Sequence, residues 1–219
     1  MPSVRIRLSA PTFKNMIFKT VELIFPTGVG IYKDDKGPII NEIDFIRSLE
    51  KTNNQYNKIS IENYLFELPA MKRIRETCLQ AAQDFFEKTF SPNNKECQLY
   101  ITQSWANFTS INEKHHKHYH PNSIISGVYY INANAFRDKI TFFRSSLDNR
   151  IEILPKRMNP FTMIGWSVPV ETSDIICFPS QLEHAVPDIT DNYTRISVSF
   201  NTFIKGTIGS KKGMTALDL

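Results

Sequence analysis

The hydrophobic pattern changes period near residue 95, and that change limits what the chain can fold into. Before it, Met71, Ile74, Cys78, Ala82 and Phe85 recur at steps of three and four, with Lys72, Arg73, Arg75, Glu76 and Asp84 off the stripe. Apolar residues at that spacing share one face of a helix. Pro69 suits a first turn and Pro92 follows the end, so a helix is predicted over 69–90. After Asn94 the spacing gives way to short β-branched and aromatic runs: Leu99 to Phe108, Ile124 to Ile131, Ile140 to Phe143, Ile175 to Phe178 and Thr194 to Ile204. Runs of that length between turn residues are strands of a β-sandwich or small jelly roll. Helices first and strands second predicts an α+β fold, mainly β, with N-terminal helices buttressing one face of a sheet.

Shorter signals fill in the rest. Asn41 can cap a helix over 41–52, with Glu42 and Asp44 at its positive end, Lys51 at its negative end, and Ile43, Ile46 and Leu49 on one face. Val21 to Phe25 is apolar enough for a strand that Pro26-Thr27-Gly28 ends. Gly28-Val29-Gly30 lacks the third glycine of a dinucleotide fingerprint. Residues 205–219 carry three glycines and three lysines and read as a loose tail. The expected layout is one domain over 1–204, with helical support about 41–91 and a β core about 97–204.

Composition excludes several classes. At 219 residues, with 41% hydrophobic and 22% charged residues, the chain can bury a sizeable core. No apolar run approaches the roughly 20 residues of a membrane-spanning helix, and residues 1–19 lack the apolar core of a signal peptide. Cys78, Cys97 and Cys177 are too scattered for a disulfide framework or the common zinc-finger spacings, which suggests a reducing cytoplasm. A net charge of +4 is too small to argue for nucleic acid. Neither a nucleophile elbow nor a phosphate loop is present, and Cys177 reads as core rather than nucleophile.

The chemistry lies in the histidines. Four of the five are His115, His116, His118 and His120, and the fifth is His184. Neutral imidazole is the commonest protein metal ligand, and side chains at i and i+2 of a strand point the same way. His118 with His120, or His116 with His118, could share an ion. A distant third ligand would close a facial triad of the kind that suits non-haem Fe(II). The plainer reading is a hydrophilic surface loop. After the run come Gly127-Val128-Tyr129-Tyr130-Ile131-Asn132 and, before His184, a strand ending in Phe178-Pro179-Ser180. Arg195, Ser197 and Ser199 share one face of the last strand by period two.

With these residues in view the chain resembles the 2-oxoglutarate and Fe(II)-dependent oxygenase superfamily. Within it, the chain is similar to a group found in bacteria and in phages of marine cyanobacteria. The resemblance rests on Ser104-Trp105-Ala106-Asn107, His118-Tyr119-His120-Pro121-Asn122-Ser123, Ser126-Gly127-Val128-Tyr129-Tyr130, Phe178-Pro179-Ser180, Glu183-His184 and Arg195-Ile196-Ser197-Val198-Ser199-Phe200-Asn201. It covers roughly residues 100–204. Prolyl hydroxylases of the superfamily share the general order of these elements.

The resemblance implies a double-stranded β-helix in which His118 and His184 hold iron and Arg195 binds the far carboxylate of 2-oxoglutarate. A guanidinium fork matches a carboxylate. Ser197 would assist, Tyr130 stands where a cosubstrate-binding phenol often lies, and Asn107 is a further candidate. Tyr130 reads equally well as a core aromatic. The superfamily usually has Asp or Glu two residues after the first histidine, and this chain has His120. His120 could be the third ligand, a supporting group beside a two-histidine site, or a sign that the register is His116 with His118. The set His118, His120 and His184 is preferred.

The implied cofactors and cosubstrates are Fe(II), 2-oxoglutarate and molecular oxygen, with ascorbate as an optional reductant. The implied reaction hydroxylates an aliphatic carbon, on a prolyl or other peptidyl side chain or on an amino acid, as 2-oxoglutarate is decarboxylated to succinate. The setting would be cytoplasmic, in the host if the chain is phage-encoded. Trp105 and Trp166 could line the barrel mouth, and Arg144, Arg150, Lys156 and Arg157 could attract an acidic substrate. The alternatives are a cupin-like metalloenzyme that does not use 2-oxoglutarate and a non-catalytic β-sandwich.

Overall fold

The computed structural model describes residues 20, 24–92, 97–144, 154–190 and 192–219. In chain order the elements are β1 (Gly30–Lys33), α1 (Ile40–Ser48), β2 (Lys51–Asn53), β3 (Lys58–Ser60), two 3-10 turns (Leu65–Glu67 and Pro69–Met71) and α2 (Lys72–Phe90). There follow β4 (Gln98–Thr109), β5 (His115–His118), β6 (Ile125–Asn132), β7 (Lys139–Phe143), β8 (Gly165–Pro169), β9 (Asp174–Pro179), β10 (His184–Val186), β11 (Arg195–Lys205), β12 (Thr207–Ile208) and β13 (Leu217–Asp218). One sheet has seven strands in the order β1-β9-β6-β11-β4-β3-β2, and a second has four, in the order β5-β10-β7-β8. Two antiparallel sheets face to face under a helical layer are the jelly roll that the strand spacing predicts.

Period-two alternation sorts the large sheet's residues between two cores. Tyr129 and Ile131 of β6, Ile175 and Cys177 of β9, and Ile196, Val198 and Phe200 of β11 pack with Ile74, Cys78, Ala82 and Phe85 of α2. Val128 and Tyr130, with Ile176 and Phe178, pack instead against Ile140 and Phe142 of β7 and Val168 of β8. The α2 stripe therefore buries against one face, and the other face looks at the small sheet. Gly127 is required where it stands, because a Cβ there would lie 2.2 Å from the Phe200 ring.

Several expectations shift. α1 is shorter than 41–52 and is capped by Ile39, not Asn41. Ile39 has no side-chain acceptor, so Glu42 instead reaches back to the Ile39 amide at 3.0 Å. Lys51 lies in β2, but its Nζ still serves the negative end of α1, donating to the Arg47 carbonyl at 2.8 Å. Arg73, off the stripe as expected, pairs with Asp34 at 2.8 Å and Glu42 at 2.6 Å, and Tyr129 donates to Asp34 at 2.7 Å. That network ties the β1 loop, α1, α2 and β6 together. Ile24 and Phe25 are not in a strand, and Val21–Leu23 lie outside the described residues. Residues 205–219 are less loose than expected, since Thr207–Ile208 pairs with Leu217–Asp218. Among the described residues no helix is long and apolar enough to cross a membrane.

Candidate metal and cosubstrate site

The histidines meet because of strand register. β5 pairs antiparallel with β10, and His118 lies directly opposite His184. Facing residues on neighbouring strands bring their side chains together. The rings lie 4.3 Å apart. His120 follows β5, and its amide donates to the Ser180 carbonyl at 2.9 Å, so the turn after β9 sets its place. His120 Nε2 lies 3.3 Å from His184 Nε2, and the rings stack at 11°. The ligand atoms of His118, His120 and His184 all fall within 4.8 Å of one another. His115, His116 and His118 satisfy the same distance. The pairing of His116 with His118 is thus also close in space.

The tautomers suit a cation. A carbonyl can only accept, so His118 donates Nδ1–H to His116 (2.8 Å) and His184 donates Nδ1–H to Leu182 (2.9 Å). That leaves the Nε2 lone pairs for a ligand. Burial pushes His184 down to about 3 and His120 to about 4, assisted by the neighbouring imidazoles, and it lowers His118 as well. All three are neutral at physiological pH, which is the form that binds metal. No carboxylate joins this group among the described residues.

Residues that sequence reasoning left unassigned support His120. The Asn201 side chain hydrogen-bonds it. Asn201 Oδ1 accepts from Ser126 at 2.8 Å, and Ser180 donates to Ser123 at 2.7 Å. Each of these sits in a segment that carried the resemblance, and Asn201 continues the period-two face of Arg195, Ser197 and Ser199. Trp105 stacks on His120 at 5.6 Å, whereas Trp166 is half exposed on β8. A shallow cleft lined by Thr52, Ile59, Ile61, Gln103 and Trp105 opens beside that stack, so the first part of the chain helps to form it.

The remaining candidates form a row. Ser197 of β11 pairs with Asn107 on one side and Tyr130 on the other. Arg195 stands two residues along on the same face. All four are buried. Tyr130 Oη and Asn107 Oδ1 have no hydrogen-bond partner among the described residues, although Asn107 Nδ2 donates to Ser199 at 2.9 Å. Buried polar atoms without partners are rare in folded proteins. Burial raises the Tyr130 hydroxyl well above its ordinary range. Arg195 is engaged: its Nη1 meets Asp138 Oδ1 at 3.2 Å, and both side chains are almost fully buried. Asp138 Oδ2 also accepts from the Asn134 amide at 2.8 Å and from Tyr193. Asp138 lacks the sequence spacing of a metal ligand, and its role as the partner of Arg195 became visible only in three dimensions. Arg150 lies outside the described residues.

The sequence was compared with known proteins. Residues 103–201 match the family described as "Putative 2OG-Fe(II) oxygenase", which bears out the resemblance. No curated protein matches the chain. Among solved structures, the fold is similar to the non-haem α-ketoglutarate-dependent epimerase SnoN from nogalamycin biosynthesis (TM-score 0.59, 12% identity, 81% of this chain and 78% of that one). It is also similar to HygX from Streptomyces hygroscopicus, solved with nickel, 2-oxoglutarate and hygromycin B (0.52, 12%, 80% and 82%). A third is an oxidoreductase of the 2OG-Fe(II) oxygenase family from Burkholderia pseudomallei (0.51, 13%, 73% and 75%).

Proposed function

We propose that this chain, whose residues 103–201 match the 2OG-Fe(II) oxygenase family, is a 2-oxoglutarate- and Fe(II)-dependent oxygenase that hydroxylates an aliphatic carbon. The observation that carries the reading is the buried row Asn107–Ser197–Tyr130, on the face of β11 that runs on to Asn201. Two of its polar atoms lack partners among the described residues, and Arg195 stands at its end.

The donor set fits the group. His118, His120 and His184 would hold Fe(II), with the Nδ1–H bonds of His118 and His184 fixing the rings. Bound there, the iron would couple decarboxylation of 2-oxoglutarate to oxygen insertion into a C–H bond. The protein's own part is positioning and exclusion of water. Asp138 uses one of the five guanidinium donors of Arg195, and the far carboxylate of 2-oxoglutarate would take others. Tyr130 would donate its hydroxyl proton to the same anion. The amide oxygen and nitrogen of Asn107 can exchange places, so that its NH2 points into the row and the oxygen accepts from Ser199. Phe178 and Phe142 close the dry side against His184.

A peptidyl side chain, proline foremost, is the substrate class we advance, with a free amino acid second. Both come from likeness to prolyl hydroxylases, and fold does not fix substrate. Cys78, Cys97 and Cys177 are free and buried, which agrees with a cytoplasmic setting. The three-histidine donor set is the one observation that favours a cupin-like enzyme without 2-oxoglutarate. Anaerobic Fe(II) titration with and without 2-oxoglutarate separates the two. A visible charge-transfer band that needs the 2-oxo acid and fades in Arg195→Ala supports the oxygenase. Iron bound with no such band supports the alternative.

A further inference from the structure

We propose that β5 carries a second metal site, His115–His116–His118, which overlaps the inner triad through His118 and serves as the position from which a divalent transition-metal ion is loaded. The inference rests on His118–His120–His184 being the working centre.

Three observations carry it. The ligand atoms of His115, His116 and His118 lie within 4.8 Å of one another, as compact a group as the inner triad. His115 and His118 stack at 4.5 Å and 15°, and His116 leans on Tyr56 at 6.4 Å, so the group is held by neighbours. His116 Nδ1 is buried with no hydrogen-bond partner among the described residues, a lone pair or proton left without an occupant. Half-buried imidazoles in a strand need only pack. Three that converge, one with an orphaned nitrogen, also present a site for an ion.

The sharing of His118 decides how the two sites behave. A neutral imidazole has one N–H and one lone pair, so His118 can ligate in one triad at a time. The sites are therefore exclusive. They also differ in access: His115, His116 and His118 are partly buried, whereas His120 and His184 are buried. An ion from solvent meets the outer group first and reaches the inner one when the His118 lone pair changes partners. A cosubstrate that binds only at the inner centre draws the ion inward by mass action.

The test uses Co(II), whose visible spectrum reports its ligands. The native chain should bind one Co(II). At substoichiometric metal it should give a mixed spectrum that 2-oxoglutarate converts to a single species. His120→Ala/His184→Ala should still bind one Co(II), with a spectrum unaltered by 2-oxoglutarate, and adding His115→Ala/His116→Ala should abolish it. His115→Ala/His116→Ala alone should reach the native stoichiometry but load several-fold more slowly. Two ions in the native chain overturn the exclusive sharing. A His120→Ala/His184→Ala chain with native circular dichroism and no Co(II) overturns the outer site and leaves the inner one standing. Loss of all metal in His115→Ala/His116→Ala, with retention in His120→Ala/His184→Ala, overturns the inner centre and keeps the outer one. If the multiple variants do not fold, the native titration decides alone: a single spectrum throughout, indifferent to 2-oxoglutarate, overturns the proposal.

Discussion

Tyr130→Phe separates a cosubstrate-binding phenol from a core aromatic, because the two roles predict opposite signs for stability and binding. The ring is 1% exposed and its hydroxyl has no partner among the described residues. An unpaired buried hydroxyl costs about 1–3 kcal/mol, so its removal should stabilise the metal-free, cosubstrate-free protein. With part of that cost relieved by transient water, about 1 kcal/mol is expected, a rise in Tm of about 2–4 °C for a chain of this size. Binding should move the other way. A hydrogen bond to a charged acceptor is worth about 1.5–3 kcal/mol, which corresponds to a loss of roughly 10–150-fold in affinity for 2-oxoglutarate. The assay is a pair of thermal melts, without ligand and across a 2-oxoglutarate titration in the presence of a non-oxidising metal ion. A lower Tm together with unchanged affinity would refute the reasoning, since the hydroxyl would then have a structural partner and no cosubstrate.

Other consequences follow from the same structure. Arg73→Ala strands the buried Asp34 and Glu42 carboxylates and should cost about 3–5 kcal/mol at neutral pH, read by urea denaturation. Burial alone would raise Asp34, but hydrogen bonds from Arg73 and Tyr129 hold it below the usual carboxylate range. A depressed folded pKa stabilises above the unfolded value near 3.9 and stops doing so as pH falls through the folded one. The gap between native and variant should therefore narrow on acidification. Gly127→Ala drives a Cβ to 2.2 Å from the Phe200 ring and should cost about 1–3 kcal/mol or more, with partial recovery on adding Phe200→Leu. Chelation of metal present at about 100 times its dissociation constant should remove about 2.7 kcal/mol, or roughly 5–10 °C in Tm.

Long, periodic segments were legible in the sequence. The strands β4, β6, β7, β9 and β11 fall within a residue of their hydrophobic runs, and α2 ends where predicted after a 3-10 turn at its start, because burial on a fixed period leaves its mark in composition. The short strands β5, β8 and β10 were not, because they carry too little pattern of their own and take their conformation from partners distant in sequence. His118 opposite His184 is a matter of register, which no local pattern carries. The period-two face of β11 did announce Arg195, Ser197 and Ser199, and extending it by one step reaches Asn201, the support for His120. Asp138 gave no signal: its partner Arg195 is 57 residues away, and its own surroundings read as a turn.

In the proposed centre the neutral His120 and the buried Asp138 would be two sides of one charge balance. A centre with Fe(II), one ligand carboxylate, doubly ionised 2-oxoglutarate and an arginine sums to zero. Replacing the ligand carboxylate by His120 leaves it at +1, and burying an uncompensated charge is costly. Asp138, ion-paired with Arg195 and almost fully buried, returns the sum to zero. On this account the negative charge has moved from the metal's coordination sphere to the far end of the cosubstrate site. His120→Asp alone should then overload the site with negative charge and weaken 2-oxoglutarate binding. Unit charges roughly 10 Å apart at an effective dielectric near 20 interact by about 1.7 kcal/mol, a factor of about 15. Adding Asp138→Asn should recover most of that loss, although by itself Asp138→Asn removes a partner from Arg195. Recovery in the double variant is a coupling that independent sites do not show. Purely additive effects on 2-oxoglutarate affinity would mean that Asp138 only anchors Arg195, and that His120 carries no charge consequence for the site.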